Sequence, residues 1–268
     1  MSLKYTHAIV TRLSESLCGV ADFDIQLAKK QHEAYVSLLR EIGLDVIELP
    51  PDDSLPESVF VENTAVICNG VALIAKSRNP IRQREADSMK IILKKELDIP
   101  VVEMPYPNAV LDGGDVLFTG REFFVGLSER TNEDGARAVA TTFPEYPCTP
   151  IKTSGNKPLK YYVTLAGPDV LAVSTSDSSQ QILKRMEREA SFAYQTLTLP
   201  EEHAANMLYI NGNLIHRSPG EIIQSHKIIK EKVDIPSRNI DISEFSKLSS
   251  GLTSCCLLLR RWKSIRSL

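Results

Sequence analysis

Near the C-terminus the stretch SSGLTSCCLLL sets Cys255 and Cys256 side by side at the head of an apolar run. A thiol is a good nucleophile only as its thiolate. That form needs a nearby positive charge or a helix N-terminus, and multi-step chemistry adds a proton-transferring partner such as histidine. On a strand successive side chains face opposite ways, so at most one of the pair can look into a given pocket. Taken alone, such a pair is more often buried and inert. Two further polar segments interrupt apolar stretches. LPESVFVENTAVI carries Glu57, Phe60, Glu62 and Asn63. If extended, it puts Phe60 and Glu62 on one face and Glu57 and Asn63 on the other, unless the turn after Pro56 re-aims them. The acidic residues would anchor a cation and Phe60 would offer a face to a planar guanidinium, whereas the blander reading is a solvated strand edge. In NAVLDGGDVLFTG the two glycines permit positive φ and close backbone approach. Asp112 and Asp115 then flank a tight bend entering a hairpin, unless they simply cap their own backbone.

These segments must be held by a repeated frame. Helical periodicity occurs five times, beginning near Asp24, Ile81, Asn132, Ser176 and Ser218. The spacing of roughly 42 to 57 residues is that of a repeated supersecondary unit. Between the helices lie short β-type runs, often paired: THAIVT, DVIELP, TAVIC, VALIAK, VLFTG, EFFVGL, YYVTLAG, VLAVST, MLYING and NLIHRS. Asn132 before Glu133 and Asp134, and Ser176 before Asp177, supply helix caps. The unit is strand, strand, helix, strand, with no linker between halves. The expected fold is therefore a single α/β domain over residues 1–268, a five-bladed pseudo-symmetric propeller of ββαβ units whose centre is the natural pocket. A doubly wound parallel sheet fits less well, because there is no GxGxxG or GxxxxGK[ST] and each helix brings more than one strand.

A net charge of -3 and the lack of a basic stripe argue against nucleic acid, and no apolar stretch is long enough for a membrane span. Five cysteines with no CxxC spacing suit reduced thiols in the cytoplasm. The basic tail RRWKSIRSL reads as a solvated terminus.

Together, SLPESVFVENTAV, LDGGDVLFTGREFFVGLSERTN, AGPDVLAV and GLTSCC span most of the chain and resemble the dimethylarginine dimethylaminohydrolase (DDAH) family of the guanidine-modifying, or pentein, superfamily. The resemblance implies a five-bladed α/β propeller, in agreement with the unit count. It also implies hydrolysis of Nω-methylated arginines to citrulline and a methylamine without a required cofactor. By that resemblance Cys255 holds the nucleophile's position, Glu57, Phe60 and Glu62 belong to the pocket, Arg82 and Arg130 hold the substrate carboxylate, and Asp112 orients the catalytic histidine. Adventitious zinc on Cys255 is the one metal it allows. The expected partner is a small arginine-like ligand, bound by a monomer or homodimer.

The pattern then breaks. The histidine position falls on Pro158, which has no titratable group, and the sequence has no histidine between His32 and His203. A second acidic position that fixes the guanidinium is Asn63, the acidic position before GLTSCC is Ser250, and the lid-like loop SLCGVADFD is shorter than in relatives. Losing a general acid/base alone removes about 10²- to 10⁴-fold in rate. The preferred reading is a family member with little or no hydrolase activity that binds an arginine-type ligand or a protein partner. The alternative is an active amidinohydrolase that uses Cys255 and an unorthodox proton donor such as Lys157, Lys160 or Tyr161.

Overall fold

A computed structural model describes residues 4–17, 22–153 and 156–261. The centre of the shortened loop, 18–21, and most of the basic tail, 262–268, lie outside the described residues. The chain folds as five three-stranded sheets built on one plan. In the first, β1 (His7–Thr11) is followed by α1 (Ile25–Glu41) and returns parallel to itself as β2 (Asp45–Leu49). The second unit runs β3 (Ala65–Cys68), β4 (Val71–Ile74), α2 (Pro80–Ile91) and β5 (Val101–Val102). The third runs β6 (Val116–Phe118), β7 (Phe123–Leu127), α3 (Glu133–Thr142) and β8 (Cys148–Lys152). A one-turn helix, α4 (Leu159–Tyr162), then leads into β9 (Val163–Gly167), β10 (Val170–Ser174), α5 (Asp177–Glu189) and β11 (Gln195–Leu199). The fifth unit is β12 (Leu208–Ile210), β13 (Asn213–Arg217), α6 (Ile223–Lys232) and β14 (Ser237–Ile240). A short α7 (Ser243–Lys247) precedes β15 (Leu257–Leu259), which pairs antiparallel with β1 and supplies the first unit's missing strand from the far end of the chain.

Within every unit the first pair is antiparallel and the second, across the helix, parallel. Middle strands such as HAIVT and VLAVS are buried nearly throughout, because a sheet neighbour lies on each side and packed layers lie above and below. Of the outer strands, β14 is largely exposed and β2 half-buried, and their sequences SRNI and DVIEL carry the charges that this position tolerates. The inner strands β3, β6, β9, β12 and β15 all contribute residues to one axial cavity. This is the five-bladed ββαβ architecture expected from the helix spacing.

Four helices start close to where the periodicity places them, and Asn132 and Ser176 are the caps expected. Asp24, Asn79, Asn132 and Ser176 sit in extended backbone and accept from the first-turn amides. The fifth differs. A helix was expected from Ser218, but α6 begins at Ile223, since the Glu221 carboxylate is turned to Arg217, Ser218 and the Ile242 amide instead of serving a first turn. YYVTLAG is not all strand either: Tyr161 and Tyr162 close the α4 turn before β9 starts.

His32 on α1 is buried among the rings of Tyr35 and Phe245, and its Nε2 has no partner. Burial lowers its pKa from 6.5 to about 4, opposed by Glu48. The unfolded chain then binds more protons than the folded one, so the stability this neutral ring keeps above pH 6.5 is lost as the pH falls towards 4. The loss should be about 3 kcal/mol. Urea unfolding of wild type and His32→Phe between those limits checks this: the variant should show a flatter profile, and equal slopes would refute the assignment.

Candidate active site

The VFVENT segment does not stay extended. Phe60 turns at φ -86°, ψ 61° and Val61–Thr64 forms a 3₁₀ turn, in which residues three apart eclipse. Phe60 and Asn63 therefore face the same cavity, whereas Glu62 faces the axial one, which replaces the expected Phe60–Glu62 face. The LDGGD segment is likewise a 3₁₀ turn, Gly113–Asp115, and its glycines are not among those with positive φ. They serve close approach instead: a Cβ on Gly113 would overlap the Glu62 carbonyl oxygen, and one on Gly114 would meet Asp112, Pro158 and Asn63. The two aspartates divide the work. Asp115 is fully buried and accepts from Ser128 Oγ (2.7 Å), Thr131 Oγ1 (2.8 Å) and the Leu159 amide (2.9 Å), which fixes the start of α4 and hence Pro158. Asp112 accepts from the Gly114 amide at 2.8 Å and faces the cavity.

That cavity, about 360 Å³, gathers eight of the predicted site residues: Glu57, Phe60, Asn63, Arg82, Asp112, Arg130, Pro158 and Ser250. The Asn63 amide, oriented to satisfy its neighbours, donates to Asp112 Oδ1 at 3.0 Å and accepts from Arg82 Nη2 at 2.7 Å. Burial holds the Asp112 carboxyl above its ordinary pKa, against the Gly114 amide, Arg82, Arg130 and Lys160. Arg82 is spoken for: it donates to the Glu57 carbonyl (2.7 Å), and its Nη1 lies 2.7 Å from Glu85 Oε2. Arg130 makes no ion pair with any described residue and faces the same space as Lys157 and Arg78.

Two predicted residues do not line this cavity. Cys255 closes a 3₁₀ turn, Thr253–Cys255, and is 3% exposed, with Sγ 3.8 Å from the Gly251 carbonyl oxygen. Its neighbour Cys256 faces the axial cavity and Tyr35, so the pair does part as a strand would part it, although only the residues from Leu257 onward are strand. Burial first, then Cys256 and Glu62, raise the Cys255 thiol far above its ordinary pKa, and Arg217 opposes them. Cys256 is pushed up to about 12 by burial.

Glu62 is the other. It is buried, and its carboxylate is bound within the protein: Lys160 Nζ lies 2.5 Å from Oε1, and Thr253 Oγ1 donates to Oε2 at 3.0 Å. The Lys160 carbonyl accepts from Asn206 Nδ2 at 2.8 Å, and the same amide nitrogen donates to Thr253 Oγ1 at 2.9 Å. Lys160, Glu62, Thr253 and the Cys255 turn thus form one bonded unit. Sequence reasoning weighed Lys160 only as a proton donor and missed Asn206 and Arg217. Arg217 is fully buried and holds the turn through the Ser250 carbonyl (3.1 Å) and Glu221 (2.9 Å). An arginine ending the β-type run NLIHR was the available signal.

No histidine lines the pocket. His203 Nε2 is 3.0 Å from the Glu221 carbonyl oxygen, and His216 Nδ1 is 2.8 Å from that of Arg217. No group of three His, Cys, Asp or Glu among the described residues could hold a metal.

The family described as "N,N dimethylarginine dimethylhydrolase, eukaryotic" matches residues 14–206, a span that includes the LDGGD turn and the Pro158 segment. The chain belongs to the DDAH family. Human DDAH2 is 35% identical over 269 residues, covering 95% of this chain and 94% of the relative. The dimethylaminohydrolase of Pseudomonas aeruginosa is 26% identical over 255 residues, covering 94% of this chain and 95% of the enzyme. In three dimensions the chain superposes on a mutant P. aeruginosa DDAH solved with citrulline at a TM-score of 0.80, with 23% identity, covering 96% of this chain and all of that one. It superposes on the N-terminal domain of the cyanobacterial arginine dihydrolase ArgZ at 0.77, with 16% identity and 95% of this chain covered. These likenesses carry the DDAH fold and confirm the family read from the motifs. No helix among the described residues is long and apolar enough to cross a membrane.

Proposed function

We infer that this DDAH-family protein has little or no hydrolase activity and acts by holding an arginine-type ligand. The observation that carries the reading is the Lys160 ammonium on Glu62: the acid expected to anchor a substrate guanidinium already has a resident cation and faces the axial cavity instead of the pocket. The other position expected to fix that cation is an amide, Asn63, and Pro158 stands beside Asp112 where a proton-transferring ring would be needed. A bidentate carboxylate grips a guanidinium far better than an amide does. With that charge gone, the pocket suits a neutral ureido side chain, as in citrulline, better than a cationic one. Arg130 and Lys157 remain to meet the ligand's carboxylate, and Phe60 flanks its alkyl chain.

Calorimetric titration of the purified protein with citrulline, arginine and Nω,Nω-dimethylarginine tests this. Citrulline should bind one to one and more tightly than the two cations. Arg130→Gln should weaken it by about tenfold or more, the worth of one charge-assisted hydrogen bond. Absence of any binding heat from all three, or an unaltered affinity in Arg130→Gln, would overturn the binding reading. Citrulline release from dimethylarginine that vanishes in Cys255→Ser would establish the active amidinohydrolase instead.

A further inference from the structure

A second cavity of about 450 Å³ is bounded by the end of β1, the Leu49–Ser58 loop and one face of α2. The volume is within the range of small-molecule sites. Its wall is apolar, from Leu49, Pro50, Leu55, Val61 and Met89, and Asp52 and Asp53 stand at its exposed rim. At its inner end are two polar groups short of hydrogen bonds, one of them paired with Arg82 by charge alone. The Glu85 side chain is 2% exposed and neither carboxylate oxygen receives a well-directed hydrogen bond, although Arg82 stands 2.7 Å from Oε2. Ser58 Oγ is buried and has no partner.

Buried carboxylates and hydroxyls are nearly always paired, so two such groups opening into one apolar cavity describe a place for a complementary molecule. Arg82 does not meet this need. It approaches one oxygen only, and its guanidinium also reaches the carbonyls of Glu57 (2.7 Å) and Phe60 (3.4 Å), leaving Oε1 open. The missing partner must be a donor with several hydrogens, small enough to sit between Glu85 and Ser58, on a hydrocarbon body that fills the remaining wall. The acidic rim favours the approach of a cation.

We propose that this cavity is a second ligand site that takes a small hydrophobic amine, its ammonium on Glu85 and Ser58 and its hydrocarbon against Leu49, Val61 and Met89. The proposal does not rest on what the arginine-type pocket binds, although Arg82 stands between the two cavities and contacts Glu85. Neither sequence motif nor family likeness points to it: Glu85 reads as one more charge in IRQREADSMK.

Benzylamine is the probe, titrated into the isotope-labelled full chain and followed by amide shifts, with benzyl alcohol as the uncharged counterpart. The expected result is saturable shifts clustered on Leu49–Ser58 and α2, at least tenfold weaker for the alcohol and for Glu85→Gln, and absent in Ser88→Phe. Ser88 lies at the exposed rim, so the added ring plugs the mouth without entering the core. Ser88→Phe decides the question even if Glu85→Gln fails to fold. Failure of wild type to saturate, which would mean a cavity holding water only, or an unchanged affinity in Ser88→Phe, overturns the proposal. Saturable binding of alcohol and amine alike would also overturn it.

Discussion

Incubated with Nω,Nω-dimethylarginine, the purified protein is expected to release no more citrulline than its Cys255→Ser variant, and Pro158→His alone is expected to recover less than about tenfold over that background. A restored imidazole supplies about 10²- to 10⁴-fold only where the rest of the site can use it. Three features stand against that here. The Cys255 thiol is buried and raised by burial, Cys256 and Glu62, so little thiolate forms near neutrality. Lys160 already neutralises Glu62. Asn63 offers the guanidinium an amide and keeps Asp112 occupied. Combining Pro158→His with Asn63→Asp and Lys160→Ala removes the last two obstacles, because the substrate's own guanidinium then becomes the cation between two carboxylates. That triple variant should exceed the Cys255→Ser background by about 10²-fold or more. Citrulline release measured over hours for the four proteins checks the order. Substantial recovery from Pro158→His alone would show that the resident lysine is no obstacle to substrate.

The second large effect concerns stability. Lys160→Met leaves the Glu62 carboxylate buried with Thr253 as its one remaining donor among the described residues. Breaking one side of a buried ion pair costs about 3–5 kcal/mol, unless the orphaned acid protonates. Burial already raises the Glu62 pKa, with Lys160 as the largest opposing influence. Without Lys160 that pKa rises further, so the folded variant binds an extra proton, and its stability falls as pH increases towards the new folded pKa. Urea unfolding at pH 6 and pH 8 should therefore show Lys160→Met weakened at both and more so at the higher. Adding Glu62→Gln should restore most of the loss, because the pair is then replaced and no longer half-removed. A Lys160→Met protein as stable as wild type at pH 8 would mean that the ion pair is not a structural element of the site.

Much of the frame was legible because it is local. Asn132 and Ser176 announce helix starts by capping chemistry that acts over three residues, and the recurrence of five helical stretches gives the number of blades. The family motifs put the expected histidine position on Pro158, and the structure sets that residue in one cavity with Asp112. What the chain hid was non-local or conformational. Phe60 and Glu62 look like face-mates until the 3₁₀ turn rotates one of them away. Lys160 finds Glu62 across two blades, a pairing that no spacing rule contains. The thiol's burial depends on Asn206 and Arg217 packing from another unit, and α6 starts late because Glu221 prefers tertiary partners to its own helix.

The pairing of His7 with Leu259 has a bearing on how the molecule is made. A nascent chain can assemble its second to fifth blades in order as each segment leaves the ribosome, since their contacts lie within short stretches. The opening blade has no such option: its inner edge waits, unpaired, for Leu257–Leu259, which follow all four of the other blades along the chain. Because the Cys255 turn immediately precedes that closing strand, the turn is organised only after the helices of all five blades have been made. A message truncated there would yield a ring with an exposed β-edge, a surface prone to unwanted association.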